Sequence, residues 1–170
     1  MGAPAVPNDV PLWIVRFLLL VAVWLHIQAA TQLTLMNRAA RPIGYTERDY
    51  VAGTYAARTM RWGGPLLLLF IVYHLLHFTV GSVHPDFIRG DVYHNVVIGF
   101  QNPLVAFFYV LSMVALSLHL FHGVESMLQT LGLSHPRYNG LRWMIGTAYA
   151  AVITAGNLSF PLSVYFGLVR

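Results

Sequence analysis

Histidines are the residues most able to carry chemistry in this sequence. Eight histidines occur in a chain that has only six acidic residues and no cysteine. His74 and His77 lie three apart in FIVYHLLHFTV, and His119 and His122 repeat that spacing in ALSLHLFHGV. His26 lies in a further apolar stretch. Ionisable side chains in such stretches are costly and mark function by default. For one histidine alone, the alternative is a neutral imidazole bonded to a neighbouring helix.

The composition of the chain indicates the environment that surrounds these histidines. The chain is 57% hydrophobic and 9% charged, whereas soluble domains carry about 25% charged residues. This deficit indicates surrounding membrane lipid, and four stretches reach the ~20 apolar residues that a spanning helix needs. We therefore predict an all-α integral membrane protein, a bundle of four transmembrane helices in a single domain. The predicted spans are residues 12–36, 62–83, 103–133 and 141–168.

Arginines set the predicted orientation. The loops at 37–61 and 134–142 are arginine-rich, whereas the connection at 84–101 carries one arginine beside two aspartates. The positive-inside rule then places the first two loops in the cytoplasm and the third outside, in the cell inner (cytoplasmic) membrane. The net charge of +4 is too small and dispersed to indicate nucleic acid. The opening MGAPAVPNDVP lacks the basic start of a signal peptide.

Several chemistries use membrane histidines. Di-iron hydroxylases need many histidines with acidic help, a zinc site needs three or four converging ligands, and a proton pathway needs acidic relays. Only Glu125 supplies a carboxylate within any predicted span. Haem b needs less, namely one imidazole on each side of a flat macrocycle, and two axial histidines suit electron transfer.

Depth in the membrane suggests which histidines would pair. At about 1.5 Å per residue, His26 lies about 22 Å from the outer end of its span and His119 about 24 Å from the outer end of its own. His74 is only about 10–15 Å from the outside by the same rise. His26 and His119 would therefore clamp one haem, and His74 would belong to a second haem nearer the outside.

Four segments together resemble a known family. They are WLHIQAATQLT around His26, RTMRWGG…IVYHLLHF around His74, VHPDFIRGDVYHNVV in the outer loop, and LHLFHGVESMLQTLG around His119. The chain resembles the cytochrome b membrane-anchor subunit of succinate dehydrogenase and fumarate reductase (complex II), of the type with one anchor polypeptide and two haems b. The resemblance covers nearly the whole chain.

The resemblance implies ligands for both haems. His26 and His119 would hold the haem proximal to the iron–sulfur subunit, and His74 would hold the distal haem with a histidine from the family's first helix. The family has five spanning helices, and that first helix has no counterpart here. Either the sequence begins at an internal methionine or it is a four-span variant. For a chain of this length we expect one complete haem b site and a second half-site.

Other polar residues are weaker candidates. His77 and His122 would bond a haem propionate or a quinone, or would be bonded core histidines. The arginines Arg16, Arg58 and Arg61 would reach propionates, although interfacial anchoring explains them as well. Quinone oxygens need donors, and the weak candidates are Trp62, His135 and Tyr138.

The predicted function is electron transfer between an iron–sulfur subunit and a membrane quinone, with a flavoprotein subunit completing the complex. Nothing in the chain resembles a flavin or dicarboxylate site, so it would not bind succinate itself. One alternative is a cytochrome b subunit of another quinone-linked enzyme. Another is a non-redox membrane protein with structural histidines.

Overall fold

The structure is a computed structural model that describes residues 10–40 and 55–170. All the regular elements in this part of the chain are helical, which confirms the predicted all-α class. The chain divides into two compact units, Met1–Asp49 and Tyr50–Arg170. The helices are α1 Val10–Ala39, α2 Tyr55–Leu75 with a π-helical turn at Leu76–Val80, α3 Val92–Gln101, α4 Pro103–Thr130 and α5 Pro136–Tyr165.

The first unit contributes α1, a single helix of 30 residues. It extends the first predicted span, residues 12–36, by a few residues at each end. Its apolar composition and its length suffice for a membrane crossing. Near its start the guanidinium of Arg16 lies 5.1 Å from the centre of the Trp13 ring. This cation–π contact keeps the charge beside an aromatic ring that favours the membrane interface.

In the second unit, α2 begins at Tyr55, seven residues before the predicted start of the second span. Arg58 and Arg61 therefore lie within the helix, and Pro65 lies in its interior. Interior proline is tolerated in membrane helices because neighbouring groups compensate the freed carbonyl. The π-helical turn ends at Gly81, whose φ of 83° is left-handed and whose N–H bonds the carbonyl of Leu76 at 3.0 Å.

The connection at 84–101, predicted without secondary structure, contains α3. Asp91 caps this helix, and its carboxylate accepts a 2.9 Å hydrogen bond from the N–H of His94. The Asn95 side chain bonds both the N–H and the carbonyl of Ile88, at 2.9 and 2.8 Å. These bonds fold residues 81–101 into a cap over one end of the bundle. We call this end the cap end, and the opposite end, at residues 131–135, the turn end.

Helices α4 and α5 form the largest packed pair of the second unit. Both begin with proline at the first helical positions, after the caps Asn102 and His135. The helices approach closely at Gly146, where a Cβ would lie 3.1 Å from the carbonyl oxygen of Phe121. Among the described helices, α1, α2 with its π turn, and α4 are long and apolar enough to cross a membrane. The 30 residues of α5 give about 45 Å, but α5 is less apolar, so the fourth span stays a prediction.

The hydrophobic core of the second unit lies at the cap end. It combines residues from the last turns of α2 and α5, the second half of α3 and the first turns of α4. They are Phe70, Val97, Phe100, Ala106, Tyr109, Met113 and Val164. Side chains of this chain therefore fill the space between its own helices there. This packing holds the cap end, where His74 and His77 lie, in a fixed arrangement.

Candidate functional site

His74 presents an imidazole at the surface of the second unit. It lies at the end of α2. The residue as a whole is exposed, whereas its contact with Tyr109 is part-buried. Its Nδ1 lies 3.4 Å from the hydroxyl oxygen of Tyr109 on α4, and the rings of Phe70 and Phe78 lie 5.9 and 5.8 Å from its centre. Since Nδ1 faces Tyr109, Nε2 is the nitrogen that would coordinate a metal.

His77 is in a different environment although it is only three residues away. It lies in the π-helical turn and is fully buried. Its Nδ1 lies 3.1 Å from the Tyr109 hydroxyl, and its ring stacks on Tyr73 with centres 5.4 Å apart. A Cβ on Gly99 would lie 3.0 Å from its Cε1. His77 is therefore packed into the cap end, and its contact with a haem propionate or a quinone stays a prediction.

The histidines of the cap have structural partners. His84 lies 2.8 Å from the carbonyl oxygen of Asn95 through Nε2 and accepts from the N–H of Asp86 at 3.1 Å. His94 Nε2 lies 3.1 Å from a carboxylate oxygen of Asp86. Within residues 10–40 and 55–170, no three side chains among histidine, aspartate and glutamate converge as a metal-ion site. Ligation by one histidine from each of two helices does not need such a cluster.

His119 and His122 lie in the second half of α4, and both are half-buried. The Nε2 of His122 lies 3.3 Å from the hydroxyl of Ser126, one turn further on. In the described part of the chain, His94 and Asp86 are the only oppositely ionisable side chains within ion-pair distance, so Glu125 makes no such contact. His26 lies exposed on α1. Because α1 belongs to the other unit, the pairing of His26 with His119 stays a prediction.

A groove between α2 and α4 runs toward the turn end, and its volume is about 430 Å³. Its walls are mostly apolar, with the guanidinium of Arg58 at one side, 5.8 Å from the ring centre of Tyr55. Trp62 lines it and is 77% exposed. We call this the α2–α4 groove. Its lining residues are Tyr55, Arg58, Thr59, Met60, Trp62, Gly63, Leu66, Leu111, Val114, Ala115 and Leu118.

Two of the predicted site residues line the α2–α4 groove, and others lie outside it. Arg58 and Trp62 both line it, whereas the exposed Arg61 does not. His135 and Tyr138 lie at the turn end with ring centres 6.0 Å apart. The Nδ1 of His135 accepts from the N–H of Arg137 at 3.2 Å and so caps α5. That bond gives His135 a structural role in starting the helix.

Arg142 and Tyr109 are two polar residues that the sequence did not single out. Arg142 is 8% exposed, and its Nη2 donates to Asn139 at 2.9 Å. Its Nε and Nη1 are buried without a hydrogen-bond partner in the described chain. Tyr109 bridges His74 and His77. Neither stands out in sequence, because an arginine after a loop indicates anchoring and a tyrosine in an apolar run indicates packing.

Comparison with known families gives one result, and it covers most of the chain. A family described as succinate dehydrogenase/fumarate reductase transmembrane subunit matches residues 37–155. This range contains His74, His77, His119 and His122, and His26 precedes it. Comparison with curated proteins and with solved structures gives no significant match. The match spans well over half of the sequence, and the helices within it include two that are able to cross a membrane. The chain is therefore a multi-pass membrane protein that belongs to the family of succinate dehydrogenase/fumarate reductase transmembrane subunits.

Proposed function

We propose that this chain binds haem b and passes electrons between an iron–sulfur subunit and a quinone in the cytoplasmic membrane. Membership of the family implies association with the other subunits of complex II. The iron–sulfur and flavoprotein subunits are the proposed partners. The observation that carries the proposal is an exposed imidazole, His74, held through Nδ1 in a membrane helix. Metal-ligating histidines almost always donate their second ring N–H to an oxygen acceptor, and the Tyr109 hydroxyl oxygen can accept such a bond.

The residues of this chain would hold the haem and exclude water from it. His119 with His26 would supply the axial ligands of the proximal haem, and His74 one ligand of a distal haem. Arg16, Arg58 and Arg61 would pair with propionates, because charge-assisted hydrogen bonds to carboxylates are the strongest available to them. Bound haem supplies one-electron transfer, while burial and hydrogen bonds to the ligands set its potential.

The α2–α4 groove would take the quinone. A volume of about 430 Å³ falls within the range of small-molecule sites, which are mainly apolar with a few polar groups. The Trp62 indole N–H and the Arg58 guanidinium are donors of the kind that a quinone oxygen accepts from. The groove lies on the same stretch of α4 as His119, since Leu118 lines it. A quinone bound there would be close to the proximal haem.

A haem assay on the purified complex tests this function. In the variant His119→Ala we expect loss of the b-type absorption of one haem, and His26→Ala should remove the same haem. His94→Ala is the matched control, because His94 bonds Asp86 in the cap, and it should keep the full haem content. A wild-type complex without any b-type absorption would contradict haem binding and would favour purely structural histidines.

A further inference from the structure

The hydroxyl of Tyr109 lies between two imidazoles inside the bundle. It is 3.1 Å from the Nδ1 of His77 and 3.4 Å from the Nδ1 of His74. Tyr109 is 5% exposed, and its ring makes edge contacts with Phe70 and Phe100 at 5.1 and 4.9 Å between centres. The aromatic core therefore fixes the ring, and the position of the hydroxyl follows from it.

A tyrosine hydroxyl carries one proton and can donate one hydrogen bond while it accepts another. Between two neutral imidazoles it donates to one Nδ1 and accepts from the N–H of the other. The chain of hydrogen bonds can thus run in either of two directions. Only one direction leaves the Nε2 of His74 with a free lone pair, because each neutral imidazole carries a single proton.

We propose that Tyr109 is the positioning residue for His74 and that His77 terminates the hydrogen-bond chain. The Nδ1–H of His74 donates to the Tyr109 oxygen, and the Tyr109 O–H donates to the Nδ1 of His77. This direction presents the Nε2 lone pair of His74 on the exposed face of the bundle. The inference deepens the proposed function and rests on it, since it concerns haem iron at His74.

His77 is suited to end this hydrogen-bond chain because its ring cannot rotate away from the Tyr109 hydroxyl. It is 0% exposed, stacked on Tyr73 and covered by Gly99. Its Nε2 is buried and bonds no other atom of the described chain. The Tyr109 hydroxyl is therefore its hydrogen-bond partner in the described chain, and the three residues form a hydrogen-bond chain without any acidic member.

The arrangement would make His74 a stronger ligand. A hydrogen bond from the second ring N–H of a ligating histidine raises the basicity of the coordinating nitrogen and fixes the ring orientation. Stronger donation stabilises the oxidised iron, so loss of the bond should raise the midpoint potential. The two directions of the hydrogen-bond chain therefore predict different midpoint potentials, which can be measured.

The decisive variant is Tyr109→Phe in the intact complex, because phenylalanine keeps the ring packed in the core and removes only the hydroxyl. We expect the midpoint potential of the haem that depends on His74 to rise, with its ferric low-spin EPR signal shifted. The haem that depends on His119 should keep its potential. The matched control is Tyr73→Phe, which keeps the stacking on His77 and should leave both potentials unchanged.

A second measurement, which does not depend on haem, gives the direction of the hydrogen-bond chain. In ¹⁵N-histidine-labelled protein in lipid, His74 should show a protonated Nδ1 and a bare Nε2. In Tyr109→Phe this preference should disappear. If Tyr109→Phe misfolds, His77→Phe replaces it, because loss of the terminal acceptor should weaken the same preference.

Three outcomes would overturn the inference. They are an unchanged potential in Tyr109→Phe, an equal shift in Tyr73→Phe, and a haem content that His74→Ala does not reduce. The last of these would also remove His74 as a haem ligand, while under all three the ligation of the other haem by His26 and His119 would stand. The wild-type absorption and the assays of His119→Ala and His26→Ala test that ligation separately, so the two failures are distinguishable.

Discussion

At the scale of single residues, two histidines about one helical turn apart lie in different environments. His74 and His77 would share a face of a regular α-helix, yet one is exposed and the other is fully buried. The π-helical turn begins at Leu76, between them. Such turns insert an extra residue into the helix and are frequent at functional sites. The change of helix type thus separates a candidate ligand from a residue of the core.

Sequence reasoning identified the histidines but not their partners. The cost of an imidazole in lipid follows from residue type alone, so His26, His74 and His119 could be proposed without a structure. The contact of Tyr109 with His74 and His77 joins residues more than 30 positions apart. Burial of Arg142 likewise depends on how α5 packs. Such contacts depend on tertiary packing, which residue spacing does not encode.

Gly99 offers a test of how tightly His77 is enclosed. A Cβ there would lie 3.0–3.1 Å from ring atoms of His77, His84 and Phe78, and these rings are themselves in contact with one another. We expect Gly99→Ala to lower the free energy of unfolding by about 1–2 kcal/mol, as overpacking of a core does. Denaturation in detergent, followed by circular dichroism, measures it.

The control for this prediction is Gly140→Ala on α5, where an added Cβ meets nothing within 4 Å. Alanine is the better helix former by about 0.5–1 kcal/mol, so this variant should equal or exceed the wild-type stability. If Gly99→Ala is as stable as Gly140→Ala, the enclosure of His77 is looser than the structure indicates.

At the scale of helices, length and apolar composition predicted the long elements well, and local geometry was harder to foresee. The first three predicted spans coincide with α1, with α2 and its π turn, and with α4. The helix α3 was missed because VYHNVVIGFQ is short and lies between loop residues. Asp91 at its N-cap was the available signal. The start of α2 at Tyr55 was also missed, since Arg58, Thr59 and Arg61 in its first turns are typical of a loop.

At this scale, the testable prediction concerns the α2–α4 groove. Ala115 lines it on the α4 side, so Ala115→Trp should fill part of the space proposed for quinone. We expect at least a tenfold loss of quinone reduction, with succinate oxidation by an artificial acceptor retained and the haem spectrum unchanged. Steady-state assays of the purified complex measure all three.

Ala148 on α5 provides the matched substitution, because it is exposed and lies outside the groove. Ala148→Trp should reduce quinone at the wild-type rate. Full quinone reduction in Ala115→Trp would place the quinone elsewhere, and loss of activity with the artificial acceptor would indicate a failure of assembly instead.

At the scale of the whole molecule, the arginine distribution predicts an orientation in the membrane, and this prediction can be tested directly. The chain contains no cysteine, so single cysteines can be introduced without a background. Arg89 and Ser134 are both exposed, the first in the cap and the second at the turn end. They belong to loops that the positive-inside rule assigns to opposite sides.

We expect a membrane-impermeant thiol reagent applied to intact cells with a permeable outer layer to label Arg89→Cys and not Ser134→Cys. Permeabilisation of the cytoplasmic membrane should expose Ser134→Cys as well. The cysteine-free parent chain controls for labelling of other proteins. The reverse pattern would invert the orientation and would place the turn end, with His135 and Tyr138, outside.

The unequal packing of the second unit has a consequence for biogenesis. At the cap end, four helices share a core made of their own side chains, so that end can become rigid as soon as the chain enters the membrane. Toward the turn end, α2 and α4 remain separated by an open groove. In a newly inserted subunit the cap end would therefore already be packed, whereas the part toward the turn end would stay open.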